Sequence, residues 1–472
     1  MDGEADALLA GLAGYDALVL AVSGGADSTA LLHLVAGWHR RRGGQTRLLV
    51  VTVDHRLRPE AADEAKAVTR QAAALGLEHR TVTWDAAKPT TGLQAAARAA
   101  RYELLMAAAL DFGTHATARV AIVTAHTADD QAETLLMRLA RGSGVDGLSS
   151  IPAVGRIRRL GPDGTEQSVA VLRPLLAVTR DRLLATLAAA GIGYIDDPSN
   201  ADDRFERVRM RQVLRHVGPL GMTAAALART AARMETVRSA LDVLTARLMR
   251  EAVTVHLDTV FAIDLDRVAG EPHEIGIRLL REVLRRAGGD ARQAELSSVE
   301  DAARRLRDGR DGGAVSLTLG RCRLEGNSIG MTDGRRLLIY RETDRPPGLP
   351  TVALAPGGGA LWDDRIWVSI SKSHSGTVEI GPLGDDAARL AQAHKCLAML
   401  PVPLRTLSAL PAFRHDGGIV AVPMLATFAR KAGDASAAAA LAGPLEASGD
   451  GGQPCLRARR GVLLAGDEVN DA

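Results

Sequence analysis

At 472 residues the chain is too long for one compact core and is expected to divide into two to four domains. Its 46% hydrophobic and 24% charged content is ordinary for a folded protein and excludes disorder as the main state. With 58 basic against 56 acidic side chains, the net charge of +2 carries no argument about nucleic acid, so any basic footprint must be local. In chain order, strand-like apolar runs are predicted at 17–22, 47–53, 79–84 and 120–125, alternating with helical patterns at 27–40, 60–75, 93–110 and 129–141. Such alternation predicts a parallel sheet covered on both faces, with the loops after Val22, Val53 and Ala125 converging on one crevice. From Ala224, Met234, Val237, Leu241, Leu244 and Leu248 repeat at three and four, predicting a long amphipathic helix that opens a second domain. Helices at 274–287 and 295–307 and strands at 315–319 and 335–340 follow. A proline- and glycine-rich segment from Asp344 marks a second boundary, and strands at 366–370 and 418–422 lie beyond it. An alanine-rich stretch after Ala435 reads as either a helix or a flexible tail.

Lysine and cysteine usage prunes the chemistry. The only lysines are Lys66, Lys88, Lys372, Lys395 and Lys431, so a phosphate site between Lys88 and Lys372 must use arginine or backbone. Cys322, Cys396 and Cys455 form no C-x-x-C pair, which argues against a disulfide framework, a zinc cluster or an iron–sulfur ligand set and fits a reducing cytosol. The acidic N-terminus lacks the basic region of a signal peptide and no apolar run reaches membrane-spanning length, so a cytoplasmic protein without a membrane partner is expected.

The strongest local signal is Ser23-Gly24-Gly25-Ala26-Asp27-Ser28, between an apolar strand and an apolar-periodic helix. Adjacent glycines let the backbone turn tightly toward a bulky anion, and the free amides at a helix start suit phosphate or pyrophosphate. Asp27 would repel phosphate unless a cation lay between them, which points to Mg²⁺. A Walker loop fails for want of a lysine, and the dinucleotide pattern G-x-G-x-x-G fails by spacing. The hexapeptide resembles the PP-loop of the ATP pyrophosphatase superfamily, whose members adenylate a substrate oxygen and release pyrophosphate before a nucleophile displaces AMP. Thiolating and glutamine-dependent members use cysteines, and here none occurs before Cys322, so a free amine is the expected nucleophile.

Further segments occur in order: Val53-Asp54-His55-Arg56-Leu57-Arg58, Ala97-Arg98-Ala99-Ala100-Arg101-Tyr102, His126 through Thr134, Arg141 through Leu148, Arg173-Pro174-Leu175-Leu176, and Asp197-Pro198-Ser199-Asn200 followed by Arg207, Arg209 and Arg211. Together, over about Ala17 to Arg215, they resemble the tRNA(Ile)-lysidine synthetase family. Where that family reads R-N-R-I-R this chain has Arg207-Val208-Arg209-Met210-Arg211, which keeps the arginine spacing and loses the amide. The pattern of elements and the two boundaries predict an α/β fold: a Rossmann-like parallel sheet with a PP-loop at 1–217, a helical-rich domain at 218–343 and a small α+β C-terminal domain at 344–472; with the resemblance, the second is expected to bind tRNA and the third to contact it. It implies ATP-dependent ligation of free lysine to C2 of the wobble cytidine in the isoleucine tRNA with anticodon CAU, through an adenylated intermediate. A PP-loop ligase or amidase acting on a small acid is the alternative, and a dimer is left open.

The resemblance assigns Ser23, Gly24, Gly25, Ala26, Asp27 and Ser28 to ATP, Asp27 also to Mg²⁺, and Asp130 and Glu133 to the catalytic pocket. His126, Asp130 and Glu133 stand at i, i+4 and i+7, so a helix starting there would aim all three into the crevice. The two carboxylates can hold Mg²⁺, receive the lysine ammonium or accept the proton lost by the amine; the sequence does not separate these roles. Arg98 is either an exposed helix charge or a partner for the α-phosphate. Arg207, Arg209, Arg211 and the stripe Arg278, Arg281 and Arg285 are the candidate tRNA phosphate contacts, although a solvated helix face explains such a stripe more often than not.

Overall fold

The computed structural model describes residues 2–57, 60–113, 118–161, 164–196, 206–289, 294–308, 316–326, 335–344, 348–372, 374–443 and 456–460. Asp197-Pro198-Ser199-Asn200 lies outside the described residues. The chain forms two compact units, one of Met1–Arg158 with Ser168–Ala240, the other of Arg159–Gln167 with Leu241–Ala465.

In the first unit, helix α1 (Asp2–Leu9) precedes strand β1 (Ala17–Ala21), α2 (Ala26–Arg41), β2 (Arg47–Asp54), α3 (Ala61–Ala74), β3 (Glu78–Thr83), α4 (Leu93–Phe112), β4 (Val120–Val123) and α5 (Ala128–Ala140). The short α6 (Val145–Leu148), strands β5 (Val154–Leu160) and β6 (Glu166–Leu172), and helices α7 (Arg180–Ala189) and α8 (Glu206–Val217) follow; α9 (Ala224–Ala252) begins here and ends in the second unit. The sheet order is β3-β2-β1-β4-β6-β5, with β3 through β6 parallel. Strands β5 and β6 are not among the predicted elements, because polar residues such as Glu166 and Gln167 interrupt the apolar run.

The central strand is apolar throughout because both of its faces are covered. Leu18 and Leu20 pack with Leu31, Leu32 and Val35 of α2 and Leu183 and Leu187 of α7, while Ala17 and Val19 meet Tyr102, Leu105 and Met106 of α4 on the other face. Strand order reverses between β1 and β4, since the chain runs outward through β2 and β3 before returning to β4. That reversal leaves a crevice beyond the C-terminal ends of β1 and β4, where the loops into α2 and α5 emerge.

In the second unit β7 (Val253–His256), β8 (Val260–Asp264), α10 (Leu265–Ala269), α11 (His273–Gly288), α12 (Leu296–Asp308), β9 (Ser316–Leu319), β10 (Cys322–Gly326) and β11 (Arg336–Arg341) form an antiparallel sheet, order β7-β8-β11-β10-β9, under helices. Leu279, Leu280, Val283 and Leu284 of α11 and Val299 and Ala302 of α12 pack on Phe261, Ile263, Leu324 and Ile339. The rest comprises β12 (Val352–Leu354), β13 (Gly359–Trp362), β14 (Ile366–Ile370), β15 (Val378–Pro382), α13 (Asp386–Ala393), β16 (Pro411–His415), β17 (Gly418–Ala421), α14 (Pro423–Lys431), α15 (Ala435–Ala442) and β18 (Leu456–Arg460). The alanine-rich stretch is therefore a helix, with Ala437, Ala438 and Leu441 buried. Among the described residues, no helix is long and apolar enough to cross a membrane.

Asp363 sits in the β13–β14 turn with its side chain fully buried, between the guanidinium groups of Arg321, Arg341 and Arg365 at 2.5, 2.9 and 2.7 Å. One carboxylate thus compensates several desolvated cations. Removing the buried acid from such a group leaves buried charge unpaired, so Asp363→Ala should cost about 3–5 kcal/mol. A drop in the thermal midpoint with the PP-loop unit still able to bind ATP is the expected result, read by calorimetry and nucleotide titration.

Candidate active site

The loop between β1 and α2 is shaped by its own side chains. Gly24 takes φ +88°, and a Cβ there would lie 2.5 Å from Ile195 Cδ1, while the Ile195 amide donates to the Gly24 carbonyl at 2.9 Å. Only glycine meets both the left-handed backbone and the close approach. Ser28 Oγ accepts from the Ser23 amide (3.2 Å) and donates to the Gly25 carbonyl (3.0 Å), and Thr29 Oγ1 donates to the Gly24 carbonyl (3.0 Å). The loop carbonyls are thereby turned back into the helix. The first-turn amides of α2, which have no carbonyl one turn earlier, are left for an anion, and buried Ala26 can contribute only through its backbone.

Asp27 occupies that first turn. Burial pushes its carboxyl up to about 6 against the opposing charge of Arg180, with Asp130 and Asp129 adding to the rise. Its Oδ1 is buried and without a hydrogen-bond partner, the kind of oxygen that a hard divalent cation would complete. No trio of His, Cys, Asp and Glu among the described residues forms a metal cage, so Mg²⁺ at Asp27 would draw its remaining ligands from phosphate and water.

Helix α5 starts two residues later than the expected face requires. Thr127 is its N-cap and His126 precedes it, so His126 is not on the helix. Asp130 turns back to close a capping box, accepting from the Thr127 amide (2.8 Å) and the Thr127 hydroxyl (2.9 Å) at Oδ2. Burial opposes its charged form, but the Thr127 amide and hydroxyl and Arg207 outweigh it and hold the carboxyl below its ordinary value. His126 keeps its place beside Asp130 by a hydrogen bond between Nδ1 and Thr124 Oγ1 (2.9 Å), and desolvation keeps the ring neutral.

Glu133 projects from the next turn, is 0% exposed, and meets Arg211 Nε at 2.5 Å through Oε1. Its Oε2 has no hydrogen-bond partner, and desolvation, only partly countered by Arg211, pushes the carboxyl up to about 7. Arg98, Arg173 and Arg207 all bear on His126 electrostatically, with Arg98 over the Tyr102 ring at 5.2 Å. Arg173 is 2% exposed and donates to the Pro152 carbonyl at 2.9 Å.

The structure sorts the predicted arginines differently from the sequence. Arg207 and Arg211, one turn apart on α8, face the carboxylates, whereas Arg209 is exposed. The exposed stripe expected on α11 is absent there: Arg278 is 6% exposed and bonded to Glu274 (2.8 Å) and to Asp242 of α9 (3.0 Å). Arg285 is held by Glu282 through both Nε and Nη2, and Arg281 is half-buried. Arg278 and Arg285 thus neutralise neighbouring acids, and the solvated stripe from which phosphate contacts were expected is not formed. Arg180, close to Asp27, and Asp129, which accepts from the Arg180 amide at 2.8 Å, are absent from the residues that sequence points to. A threonine before an apolar-periodic helix immediately after Arg173-Pro174-Leu175-Leu176 is the signal that could have found them.

The raised carboxyl of Glu133 has a pH signature. A group favoured in its protonated form by folding contributes its stability in full below its ordinary value of 4.5 and loses it as pH rises through about 7. Asp27 acts in the same direction between 3.8 and about 6. The unliganded protein should therefore melt at progressively lower temperature from pH 5 to pH 8, and Glu133→Gln should flatten that fall; parallel curves for the two proteins would contradict the assignment.

A family model described as a PP-loop domain matches residues 4–217. The tRNA(Ile)-lysidine synthase of Bradyrhizobium diazoefficiens is 47% identical over 304 residues, covering 63% of this chain and 80% of the relative. That of Rhodopseudomonas palustris is 45% identical over 306 residues, covering 64% of this chain and 84% of the relative. Among solved structures, the U34-tRNA thiolase NcsA of Methanococcus maripaludis superposes with a TM-score of 0.40 and 15% identity over 50% of this chain and 77% of that one. With its phosphate loop at the switch point of a parallel sheet and relatives at this level of identity, the chain belongs to the tRNA(Ile)-lysidine synthase family.

Proposed function

We propose that this protein joins free lysine to C2 of the wobble cytidine in the isoleucine tRNA with anticodon CAU, using ATP. The cytidine O2 attacks the α-phosphorus and pyrophosphate leaves; the lysine amine then attacks C2, and AMP departs with that oxygen. The observation that carries this reading is the meeting of two chemistries in one crevice: Asp27 of the phosphate loop lies within electrostatic reach of Asp130 and Asp129, in the first turn of the helix that also carries Glu133.

The first-turn amides of α2 hold phosphate oxygens, and Asp27 holds Mg²⁺, which neutralises phosphate charge when bound. Arg98, Arg173 and Arg207 supply a positive wall around His126 for the anionic adenylated intermediate. Glu133, poised at about 7 and with an unpartnered oxygen, is placed to receive the ammonium and take its proton. Asp130 is more structural in this scheme, since its carboxylate fastens the start of α5.

For the RNA, α8 and the first part of α9 offer a surface. From Arg207 to Met234 the chain has no acidic residue, and Arg215, Arg229 and Arg233 are exposed. Leu214 of α8 and Leu227 and Ala231 of α9 pack with Ala132, Leu135 and Leu136 of α5, so this basic face stands directly behind the catalytic carboxylates.

Incubating an isoleucine tRNA transcript with ATP and lysine should yield lysidine by mass analysis of its nucleosides, with pyrophosphate release dependent on tRNA. Asp27→Asn should reduce both by orders of magnitude while the fold persists. Unmodified cytidine with an active wild-type enzyme on a small acid would favour a small-molecule ligase instead. Combined Arg215→Ala, Arg229→Ala and Arg233→Ala should lower the slope of log affinity against log salt by about 0.7–0.9 for each phosphate that the protein no longer neutralises. An unchanged slope would place the RNA elsewhere.

A further inference from the structure

The sequence excludes lysine from any phosphate site between Lys88 and Lys372, so a side-chain cation for the pyrophosphate leaving group there must be an arginine. Arg180 is so placed. Its Nη1 lies 3.9 Å from Asp27 Oδ2, beyond hydrogen-bond length, with the side chain 30% exposed. Its backbone, by contrast, is fastened: the Arg180 amide donates to Asp129 Oδ2 at 2.8 Å, and the Ala128 amide donates to the Val178 carbonyl at 2.9 Å. Two hydrogen bonds thus stitch the start of α7 to the start of α5, and Leu183 and Leu187 of α7 share a core with Leu31, Leu32 and Val35 of α2. The base of the side chain is held beside the phosphate loop while its guanidinium is tied to Asp27 by charge alone.

We propose that Arg180 is a catalytic residue of the adenylation step: it faces Asp27 in the unliganded loop and, with ATP bound, engages the β- and γ-phosphates that depart as pyrophosphate. The inference rests on the reaction proposed above. As the cytidine O2 forms its bond to the α-phosphorus, the bridging P–O bond to the β-phosphate breaks and its electron pair stays on the pyrophosphate oxygen. Charge accumulates there, within one guanidinium's reach of Asp27, while the AMP moiety stays on the RNA. Were a divalent cation held by Asp27, the carboxylate that Arg180 faces here would already be compensated and the guanidinium would be free to turn to phosphate. An arginine fork matches two phosphate oxygens at once, which a backbone amide does not.

The test uses the full-length protein and magnesium pyrophosphate as the probe, titrated calorimetrically into wild type, Arg180→Gln and Arg180→Lys. A charge-assisted contact of this kind should make the Gln variant bind roughly ten- to hundredfold more weakly, with the Lys variant between the two. Because the bond to Asp129 comes from the backbone, both variants should keep the wild-type melting temperature. tRNA-dependent exchange of pyrophosphate into ATP should fall in the same order. Wild-type pyrophosphate affinity in Arg180→Gln would overturn the proposal, as would an equal loss in both variants accompanied by a lower melting temperature. Weakened pyrophosphate binding in a protein whose wild type makes no lysidine would uphold the arginine's role and reject the reaction assigned to the site.

Discussion

Three helix N-termini converge where the strand order reverses, and the chemistry of the protein depends on that convergence. Helix α2 brings Asp27 in its first turn, α5 brings Asp129 and Asp130 in its own, and α7 begins at Arg180. Each N-terminus carries orphan amides and partial positive charge, which makes it tolerant of acids and receptive to phosphate. The acids do different work. Asp130 commits its carboxylate to capping α5, Asp129 reaches across to cap α7, and Asp27 keeps an oxygen without a partner. Capping thus fixes the frame around Asp27, whose buried Oδ1 has no partner.

Desolvation sets the proton affinities inside this frame. Glu133 is completely buried yet holds only one of its two oxygens against Arg211, so its charge is incompletely compensated and its carboxyl rises to about 7. Asp130 is in a comparable environment with the opposite outcome, because an amide, a hydroxyl and nearby cations all favour its ionised form. Two carboxylates one helical turn apart are therefore pushed in opposite directions. The difference in partners alone separates a carboxyl raised to about 7 from one held below its ordinary value.

Arginine serves three unlike purposes in the chain. On α11 it neutralises Glu274 and Glu282 on a helix whose apolar face is core. Around Asp363 a cluster of guanidinium groups is held by a single buried acid in the second unit. On α8 and the start of α9, where no acid intervenes between Glu206 and Glu235, Arg209, Arg215, Arg229 and Arg233 remain exposed on helices that pack against α5. Spacing along the helix is similar in the first and third cases, and the neighbouring acids make the difference.

Much of the first unit is legible from sequence. Strands β1 to β4, helices α2 to α5 and the hexapeptide Ser23–Ser28 are written in local periodicity and turn chemistry, and these act over a few residues. The proximity of Asp130 to the phosphate loop follows from the parallel-sheet pattern alone, since the C-terminal ends of such strands share one crevice. A helical register that includes His126 does not form, because Thr127 caps α5 and leaves the histidine outside it. Tertiary structure alone decided that Arg211 pairs with Glu133, that Arg180 faces Asp27 and that Arg278 is buried between Glu274 and Asp242. Each of these joins helices distant in sequence, or buries a charge that local spacing would leave in water. Periodicity specifies which face of a helix is apolar; the partner of a charged side chain is specified only once another helix packs against it.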